Sequence, residues 1–296
     1  MLPPLRACPY LLALAILAAG PVRTAPAENS PSMPARELVR KAVQNEAPPN
    51  LETGPLFAYK SRLLKPHYDT VKQNVETPLG ILARVVMFNG QLLTAEQKAN
   101  EDARINRLLD PAQMQQKRKA QQADAERAAK LFKALPDAFL YEYLGSEQVQ
   151  DRHTLVKLSF TPDPAFDPPT RETLIFQGMR GEMVVDSTAM RVISVDGTLF
   201  RDVTIGWGLI GRLYKGGRFT AEQTEVAPGC WTIVKMTLKF EGRALIFKSL
   251  HIDEVETLWD FKPVERMSVH DALDYLKQRE SQDPQPRSGQ EIGRHK

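Results

Sequence analysis

Short segments that alternate apolar and polar residues, separated by turn residues, run through most of this chain of 296 residues. Within 203–207 and 236–240 every second residue is apolar, which places these side chains on one face of a strand. Turn residues such as Asn89 and Gly90 make the connections short, and short connections require antiparallel pairing because parallel pairs need long crossovers. The pattern predicts an α+β fold built on a single, strongly curved antiparallel β-sheet.

Thirteen segments have this strand character, and capping helices are predicted at 37–45 and 268–276. Dipeptides that contain glycine, including Asp196-Gly197 and Glu241-Gly242, are expected to be turns between strands. The predicted strands are 56–64, 68–76, 81–88, 139–149, 154–160, 172–177, 182–186, 191–195, 199–207, 218–226, 231–240, 244–250 and 254–261.

A helical hairpin is predicted to interrupt the strands over residues 94–135. Thr94 and Gln97 have the spacing of a capping box, which begins a helix that runs to about residue 109. Asp110 and Pro111 then fit the N-cap and first position of a second helix, which should end before Pro136. The insert has nine lysine or arginine residues against six acidic residues. It is therefore either a solvated hairpin over one edge of the sheet or a basic arm for phosphate head groups.

Residues 1–27 have the pattern of an export signal peptide. Arg6 precedes an apolar run at 11–19, and Ala25-Pro26-Ala27 is a small-residue cleavage site. We expect cleavage near Ala27, with a cut after Gly20 as the alternative. The apolar run is well short of the roughly 20 residues of a membrane span. The mature chain is therefore expected outside the cytoplasm, with no transmembrane segment.

The remaining sequence divides into residues 28–263, predicted to form the sheet domain, and residues 264–296, predicted to be the short helix and a disordered tail over 280–296. Lys and Arg number 39 against 36 Asp and Glu, a balance that gives no reason to expect nucleic acid as a partner. Beyond the leader the chain has one cysteine, Cys230. Burial, not an internal disulfide, must therefore stabilise the fold.

No catalytic or metal-binding pattern stands out. Residues 206–211 fit G-x-G-x-x-G, but the following residues cannot open a helix, so a flexible apolar loop is favoured over nucleotide binding. His251 and Asp253 share a strand face, and two such residues indicate surface pairing more than a metal site. We therefore predict no enzyme activity, no cofactor and no metal.

Five stretches of the sequence together carry a resemblance to a known family. They are 177–186 (QGMRGEMVVD), 209–213 (LIGRL), 216–219 (GGRF), 222–226 (EQTEV) and 229–231 (GCW). They resemble the LolA/LolB-like superfamily, the exported bacterial proteins of the outer-membrane lipoprotein-sorting type, especially members that carry a charged helical insert. The similarity spans roughly residues 36–262, including the insert. It implies a half-closed antiparallel barrel capped by helices, with an apolar cavity for lipid or lipoprotein acyl chains, and a periplasmic location in a Gram-negative bacterium.

The function expected from these features is non-enzymatic binding of lipid or lipoprotein acyl chains in the periplasm, with a carrier role in lipoprotein sorting. The candidate lining residues are Met183, Trp207, Phe219 and Phe240, since Met and aromatic side chains adapt to acyl chains. The alternative is a protein-interaction or envelope-stress sensor module. Its cavity would be filled by its own core, and its arm at 94–135 would dock an envelope protein. An extracytoplasmic hydrolase is the least supported hypothesis.

Overall fold

The computed structural model describes residues 33–46, 50–108, 110–149, 153–205, 211–244 and 248–282, all within the compact unit Met33–Lys296. In this part of the chain four α-helices and one 3-10 helix accompany thirteen strands of a single antiparallel sheet. The α-helices are α1 (Ala35–Asn45), α2 (Ala95–Leu108), α3 (Pro111–Ala138) and α4 (Val269–Gln282). The strands are β1 (Leu56–Lys65), β2 (Tyr68–Thr77), β3 (Gly80–Phe88), β4 (Gln91–Leu92), β5 (Phe139–Gln148), β6 (Thr154–Pro162), β7 (Met179–Asp186), β8 (Arg191–Leu199), β9 (Val203–Ile205), β10 (Gly211–Leu213), β11 (Arg218–Ala227), β12 (Cys230–Ala244) and β13 (Lys248–Val264).

The main path of the sheet is β4-β3-β2-β1-β13-β12-β11-β8-β7-β6-β5, with β10 added beside the end of β12 and β9 beside β10. Most neighbours are consecutive in the chain, as short connections require. The long-range pair is β1 with β13, which joins the first strand to the last in the middle of the sheet. β4 and β5 form the two ends of this path, so the sheet is open in the described residues.

One row of cross-strand neighbours defines what we call the inner face of the sheet. Met183 pairs with Val195, Val195 with Ala221, Ala221 with Met236, and Met236 with Glu256. Helix α1 packs against β5, β7 and β8 in the core that includes this face. Its residues Leu38, Val39 and Ala42 are at most 3% exposed, and fully burying one large aliphatic side chain contributes about 1.5–3 kcal/mol. The inner face thus contributes most of the larger core.

The opposite face has a smaller core, which is covered by α4. Ala58, Val75 and Leu82 are successive cross-strand neighbours on β1, β2 and β3, and all are fully buried against Leu276 and Ile105. Arg84, at 4% exposure, reaches Asp102 of α2 and Glu280 of α4. The distances from the guanidinium are 2.5 and 2.7 Å. This pairing satisfies a buried cation and ties both helices to the sheet.

The predicted hairpin forms, with its caps where the sequence placed them. The Thr94 amide donates to Gln97 at 2.8 Å and the Gln97 amide to Thr94 at 3.2 Å, so the capping box is confirmed. Asp110 accepts from the amides of Ala112 and Gln113 at 2.9 and 3.1 Å, as an N-cap does.

The predicted end before Pro136 is wrong, since α3 continues to Ala138. The proline lies in the last turn, so its missing N–H removes one hydrogen bond near the helix end. The hydroxyl of Tyr141 donates to the Leu135 carbonyl at 2.7 Å, which satisfies a carbonyl of that turn. A proline so close to the end can thus be accommodated within the helix.

The segment 172–177 was expected to be a strand, but it is a 3-10 helix over Glu172–Gly178. Thr170 and Thr173 explain the difference. The amide of each residue donates to the hydroxyl of the other, at 3.1 and 3.4 Å. Such local side-chain bonds compete with a strand ladder and begin a turn. Phe176 is still buried in the core, at 6% exposure. A buried apolar residue at this position is therefore compatible with both a strand and a 3-10 helix.

Two of the expected glycine turns lie inside strands. Gly197 is within β8 and Gly242 within β12. A Cβ at Gly242 would lie 2.2 Å from the Arg212 carbonyl oxygen of β10, so this glycine permits close approach of a neighbouring strand. Glycine alone does not distinguish a turn from such a contact.

Other boundaries also differ. Of the predicted strand 244–250, residue 244 ends β12 and 248–250 begin β13, which also contains the predicted strand 254–261. The predicted strand 199–207 contributes residue 199 to β8 and 203–205 to β9. Residues 206–207 and 245–247 lie outside the described residues. Residues 280–282, expected in the disordered tail, belong to α4. The predicted leader 1–27 and the rest of the predicted tail, 283–296, lie outside the described residues.

Candidate functional site

An apolar cavity of about 360 Å³ lies between α3 and the inner face of the sheet. Its wall from α3 consists of Ala128, Leu131, Phe132 and Leu135. Strands β5–β8, β11 and β12 and the 3-10 helix supply the rest of the wall. Apart from Ala221, the apolar residues there are Phe139, Phe160, Ile175, Phe176, Met179, Met183, Val192, Ile193, Val195, Phe219, Ile233, Met236, Leu238 and Phe240.

Three of the four candidate lining residues meet in this cavity. Met183, Phe219 and Phe240 all line it, and their strands β7, β11 and β12 bring them together on the inner face. Trp207 lies in the stretch 206–210, outside the described residues. The residues that the sequence reasoning missed include the whole contribution of α3, above all Phe132. The available signal was the Leu131 and Leu135 pair at i,i+4 spacing, which marks an apolar helix face.

The cavity wall has little polar chemistry. Ser194 and Gln223 are its polar residues, and the described lining includes no charged side chain. The Gln223 amide donates to both carboxylate oxygens of Glu46 at 3.2 Å, and Arg191 donates to the same carboxylate at 3.1 Å. The amide group is thus already paired within the protein. The cavity can therefore hold apolar groups without leaving that amide unsatisfied.

A second, polar cavity of about 520 Å³ lies farther along the inner face, beneath the first half of α3. Lys72, Arg104 and Lys117 are its cations, and Glu101 and Glu256 its carboxylates. The remaining lining residues come mostly from β1–β3 and β13. They are Tyr59, Ser61, Tyr68, Asn74, Ile81, Ala83, Val85, Gln121 and Leu258.

Some of these charged groups cap the outer edge of β3. The Val85 amide donates to Glu101, Arg104 donates to the Ala83 carbonyl, and Lys117 donates to the Ile81 carbonyl, each at 2.7 Å. Arg104 also donates to Glu101 at 2.7 Å. The hairpin thereby covers backbone groups that an edge strand otherwise leaves unpaired. The insert was predicted to lie over one edge of the sheet. Helix α2 does so, whereas α3 extends over the inner face.

Burial and neighbouring charges shift several pKa values in the polar cavity. Burial opposes ionisation of Glu101, but hydrogen bonds from Arg104 and Val85 outweigh it and lower the pKa of this carboxyl. Burial lowers the pKa of Lys117, and the positive charges of Arg104 and Lys72 lower it further. Burial raises the pKa of Glu256, and the charge of Lys72 opposes that rise. The cavity therefore holds charges at an energetic cost that a bound counter-ion would reduce.

The two cavities adjoin each other. Met236 of the apolar cavity and Glu256 of the polar cavity are direct partners on β12 and β13, and such partners have Cβ atoms about 4.5–5.5 Å apart. Helix α3 passes over both, because Gln121 lines the polar cavity and Ala128 the apolar one. We refer to these two neighbouring cavities beneath α3 as the amphipathic groove.

The described residues contain no group of three or more side chains suited to hold a metal ion. His251 and Asp253, the strongest pair in the sequence, each lie near a residue of β12 instead. The distances are 3.8 Å from His251 to Glu241 and 3.7 Å from Asp253 to Lys239. The same part of the chain has no helix with the length and apolarity needed to cross a membrane.

No protein-family profile matches the sequence, and no curated protein matches it. Among solved structures the chain is similar to a DUF1329 family protein from Desulfovibrio piger, at 11% sequence identity and a TM-score of 0.25. The match covers 80% of this chain and 97% of that chain. A similarity at this level carries no functional argument.

Proposed function

We propose that this protein binds the acyl chains of a lipid or lipoprotein in its apolar cavity, without covalent chemistry, and acts as a periplasmic carrier. The observation that carries the proposal is the apolar cavity between α3 and the inner face, whose described lining has no charged residue. Its volume of about 360 Å³ falls within the range of 300–1,000 Å³ typical of ligand sites. Each CH₂ group moved from water into it contributes about 0.8 kcal/mol.

The side chains of the wall suit a flexible, variable ligand. Met183 and Met236 are unbranched and can repack around chains of different length. Phe132, Phe219 and Phe240 supply large apolar surfaces. Because acyl chains offer no hydrogen bonds, a wall of this composition selects them over polar metabolites.

The remaining expectations belong to the same proposal. An open antiparallel sheet with helices on its inner face suits a half-barrel of the LolA type, and the predicted leader suits a periplasmic location. A role in lipoprotein sorting would follow if the bound acyl chains belong to a lipoprotein.

The test measures binding of a fluorescent fatty acid, cis-parinaric acid, to the purified protein and to two cavity variants. Phe132→Asp and Phe219→Asp each place a carboxylate in the cavity wall at a partly buried position. Leu144→Asp is the matched control, because Leu144 is 50% exposed on β5 and does not line the cavity. Circular dichroism verifies that each variant is folded.

We expect both cavity variants to bind the probe at least 10-fold more weakly than the unchanged protein, since burying an unpaired carboxylate is costly. Leu144→Asp should bind it normally. The proposal fails if the unchanged protein does not bind the probe, or if both cavity variants fold and bind it fully.

The exposed surface of α3 supports a second candidate, a module that docks an envelope protein through the hairpin. Along α3, the stretch from Ala112 to Lys130 is mostly exposed, with Met114 the buried residue. Deleting 94–135 would not separate the two functions, because α3 lines both cavities. Replacing the exposed Gln116 and Lys119 with glutamate separates the two functions. A carrier would retain acyl binding, whereas a docking module would lose a partner found by crosslinking.

A further inference from the structure

We propose that the polar cavity binds the phosphate of an amphiphile whose acyl chains occupy the apolar cavity, so that the preferred cargo is an anionic phospholipid. This inference rests on the proposed function and names the chemistry of its ligand. It makes the two cavities a head-group chamber and a chain chamber of one site.

Continuity of the groove is the first support. The row that begins with Met183 and Val195 in the apolar cavity ends with Met236 beside Glu256 in the polar one. Gln121 and Ala128 of α3 are seven positions apart, which is about 10 Å along a helix axis. A single lipid can therefore reach from one chamber into the other without leaving the cover of α3.

The distribution of charge is the second support. Three cations and two carboxylates line the polar cavity. Glu101, at 8% exposure, is matched by Arg104 and the Val85 amide. That leaves Lys72 and Lys117 against Glu256, and burial raises the pKa of Glu256. Once Glu101 and Arg104 are paired, the remaining charge of the polar cavity is positive.

The remaining donors suit a phosphate. Lys117 uses one N–H for the Ile81 carbonyl, and an ammonium group has three. The Ser61 hydroxyl accepts from Asn74 at 2.9 Å, so its own proton can be donated. Lys72 lies beside Ser61 in the next strand. Two ammonium groups and a hydroxyl provide charge-assisted donors for phosphate oxygens, and an anion there would relieve the repulsion between Lys72 and Lys117.

The experiment compares two probes with identical acyl chains, fluorescent phosphatidic acid and fluorescent diacylglycerol, each presented to the protein in neutral detergent micelles. The variants are Lys72→Met/Lys117→Met, which keeps the apolar stems, and Lys72→Met alone. The single variant preserves the Lys117 bond to β3 and serves if the double variant does not fold. The matched control is Lys119→Met, because Lys119 is exposed on the same helix and lines neither cavity.

We expect the unchanged protein and Lys119→Met to bind phosphatidic acid about 10-fold or more tightly than diacylglycerol, as charged hydrogen bonds of this kind allow. The double variant should lose that preference through weaker binding of phosphatidic acid, with diacylglycerol binding unchanged. Lys72→Met should lose part of it.

Other outcomes separate this inference from the function on which it rests. Equal binding of both probes by the unchanged protein, or a full preference in both folded variants, overturns the head-group site while leaving acyl binding intact. Failure of both probes to bind overturns the acyl carrier as well. Glycerol 3-phosphate is added as a competitor, and if it binds as tightly as phosphatidic acid, the site serves soluble phosphate esters and the lipid assignment is wrong.

Discussion

At the scale of single residues, Glu76 shows how burial alone can make a side chain sensitive to pH. It lies on β2 and accepts the Phe57 amide at 3.0 Å. Burial raises the pKa of this carboxyl to about 7, against a smaller lowering by the Phe57 hydrogen bond. Because the folded-state pKa lies above the unfolded value, the protonated form stabilises the fold. That contribution is complete below about pH 4.5 and is lost as the pH rises through 7.

The substitution Glu76→Gln should therefore stabilise the protein at pH 8, by up to about 3 kcal/mol at 1.36 kcal/mol per pKa unit. The gain should shrink to nearly nothing at pH 4.5, where the carboxyl is protonated in the folded state. Urea unfolding at both pH values measures the difference. Glu147→Gln, at an exposed position on β5, should show no such dependence, and an equal gain at both pH values would refute the argument.

Gly181 is important for the fold because it has no side chain. It pairs with Gly197 across β7 and β8, and a Cβ at Gly181 would lie 1.9 Å from the Asp196 carbonyl oxygen. Since the obstacle is backbone, it cannot rotate away. We expect Gly181→Ala to destabilise the fold by about 1–3 kcal/mol, as overpacking does. Thermal unfolding measures the loss, with the exposed Thr198→Ala on β8 as control. A stable Gly181→Ala protein would contradict this view of the strand pair.

Individual site residues could be predicted from the sequence where they lie on strands with an alternating apolar pattern. Alternation placed Met183, Phe219 and Phe240 on strand faces, and all three line the apolar cavity. It did not single out Phe132, because most of α3 is polar and its apolar residues gather near its end. The charged groups of the polar cavity were also missed, since Lys72 and Glu256 are far apart in sequence and meet only through the pairing of β1 with both β2 and β13.

At the scale of elements, α3 carries the site, and its start is fixed by one side chain. Asp110 caps the helix with hydrogen bonds to two backbone amides. Asp110→Ala should therefore cost about 1 kcal/mol of stability, the usual loss for such a cap. Chemical denaturation followed by far-UV circular dichroism measures it. Asp124→Ala on the same helix, which loses only the exposed pair with Arg127, should cost less than about 0.5 kcal/mol, and equal losses would argue against a special role for the cap.

Most elements could be predicted because their signals are local. Caps and alternation identified α2 and α3 and most strands to within a few residues. The errors arose where two structures share a signal. The run 172–177 is as apolar as a strand, and only the Thr170–Thr173 hydrogen bonds begin a 3-10 helix instead. Glycine at 197 and 242 marks close contacts rather than turns, and a contact depends on a neighbour that sequence does not show.

At the scale of the whole molecule, the sequence predicted one antiparallel sheet but not its strand order. The pairing of β1 with β13 brings together segments about two hundred positions apart. It joins the part of the sheet under the first half of α3 to the part under its last turns. The amphipathic groove exists only because of this long-range closure, and local patterns cannot reveal it.

Binding of an acyl ligand should stabilise the protein as a whole. A ligand that binds only the folded state at 100 times its Kd contributes about 2.7 kcal/mol, or a rise in Tm of about 5–10 °C for a chain of this size. Differential scanning calorimetry with and without phosphatidic acid measures the shift. Glycerol 3-phosphate at the same concentration should leave the Tm nearly unchanged. A Tm unaffected by any acyl compound would contradict a site formed by the folded groove.

The covered edge of β3 has a consequence for the tendency of a carrier of this kind to aggregate. Glu101, Arg104 and Lys117 cover its backbone groups, and all three belong to the hairpin whose helix α3 lines both cavities. A hairpin that swings outward would uncover a ready template for another chain, the first step toward aggregation. A bound ligand that keeps the hairpin in place would thus protect the protein from aggregation. The empty protein, not the loaded one, would have the shorter life in solution.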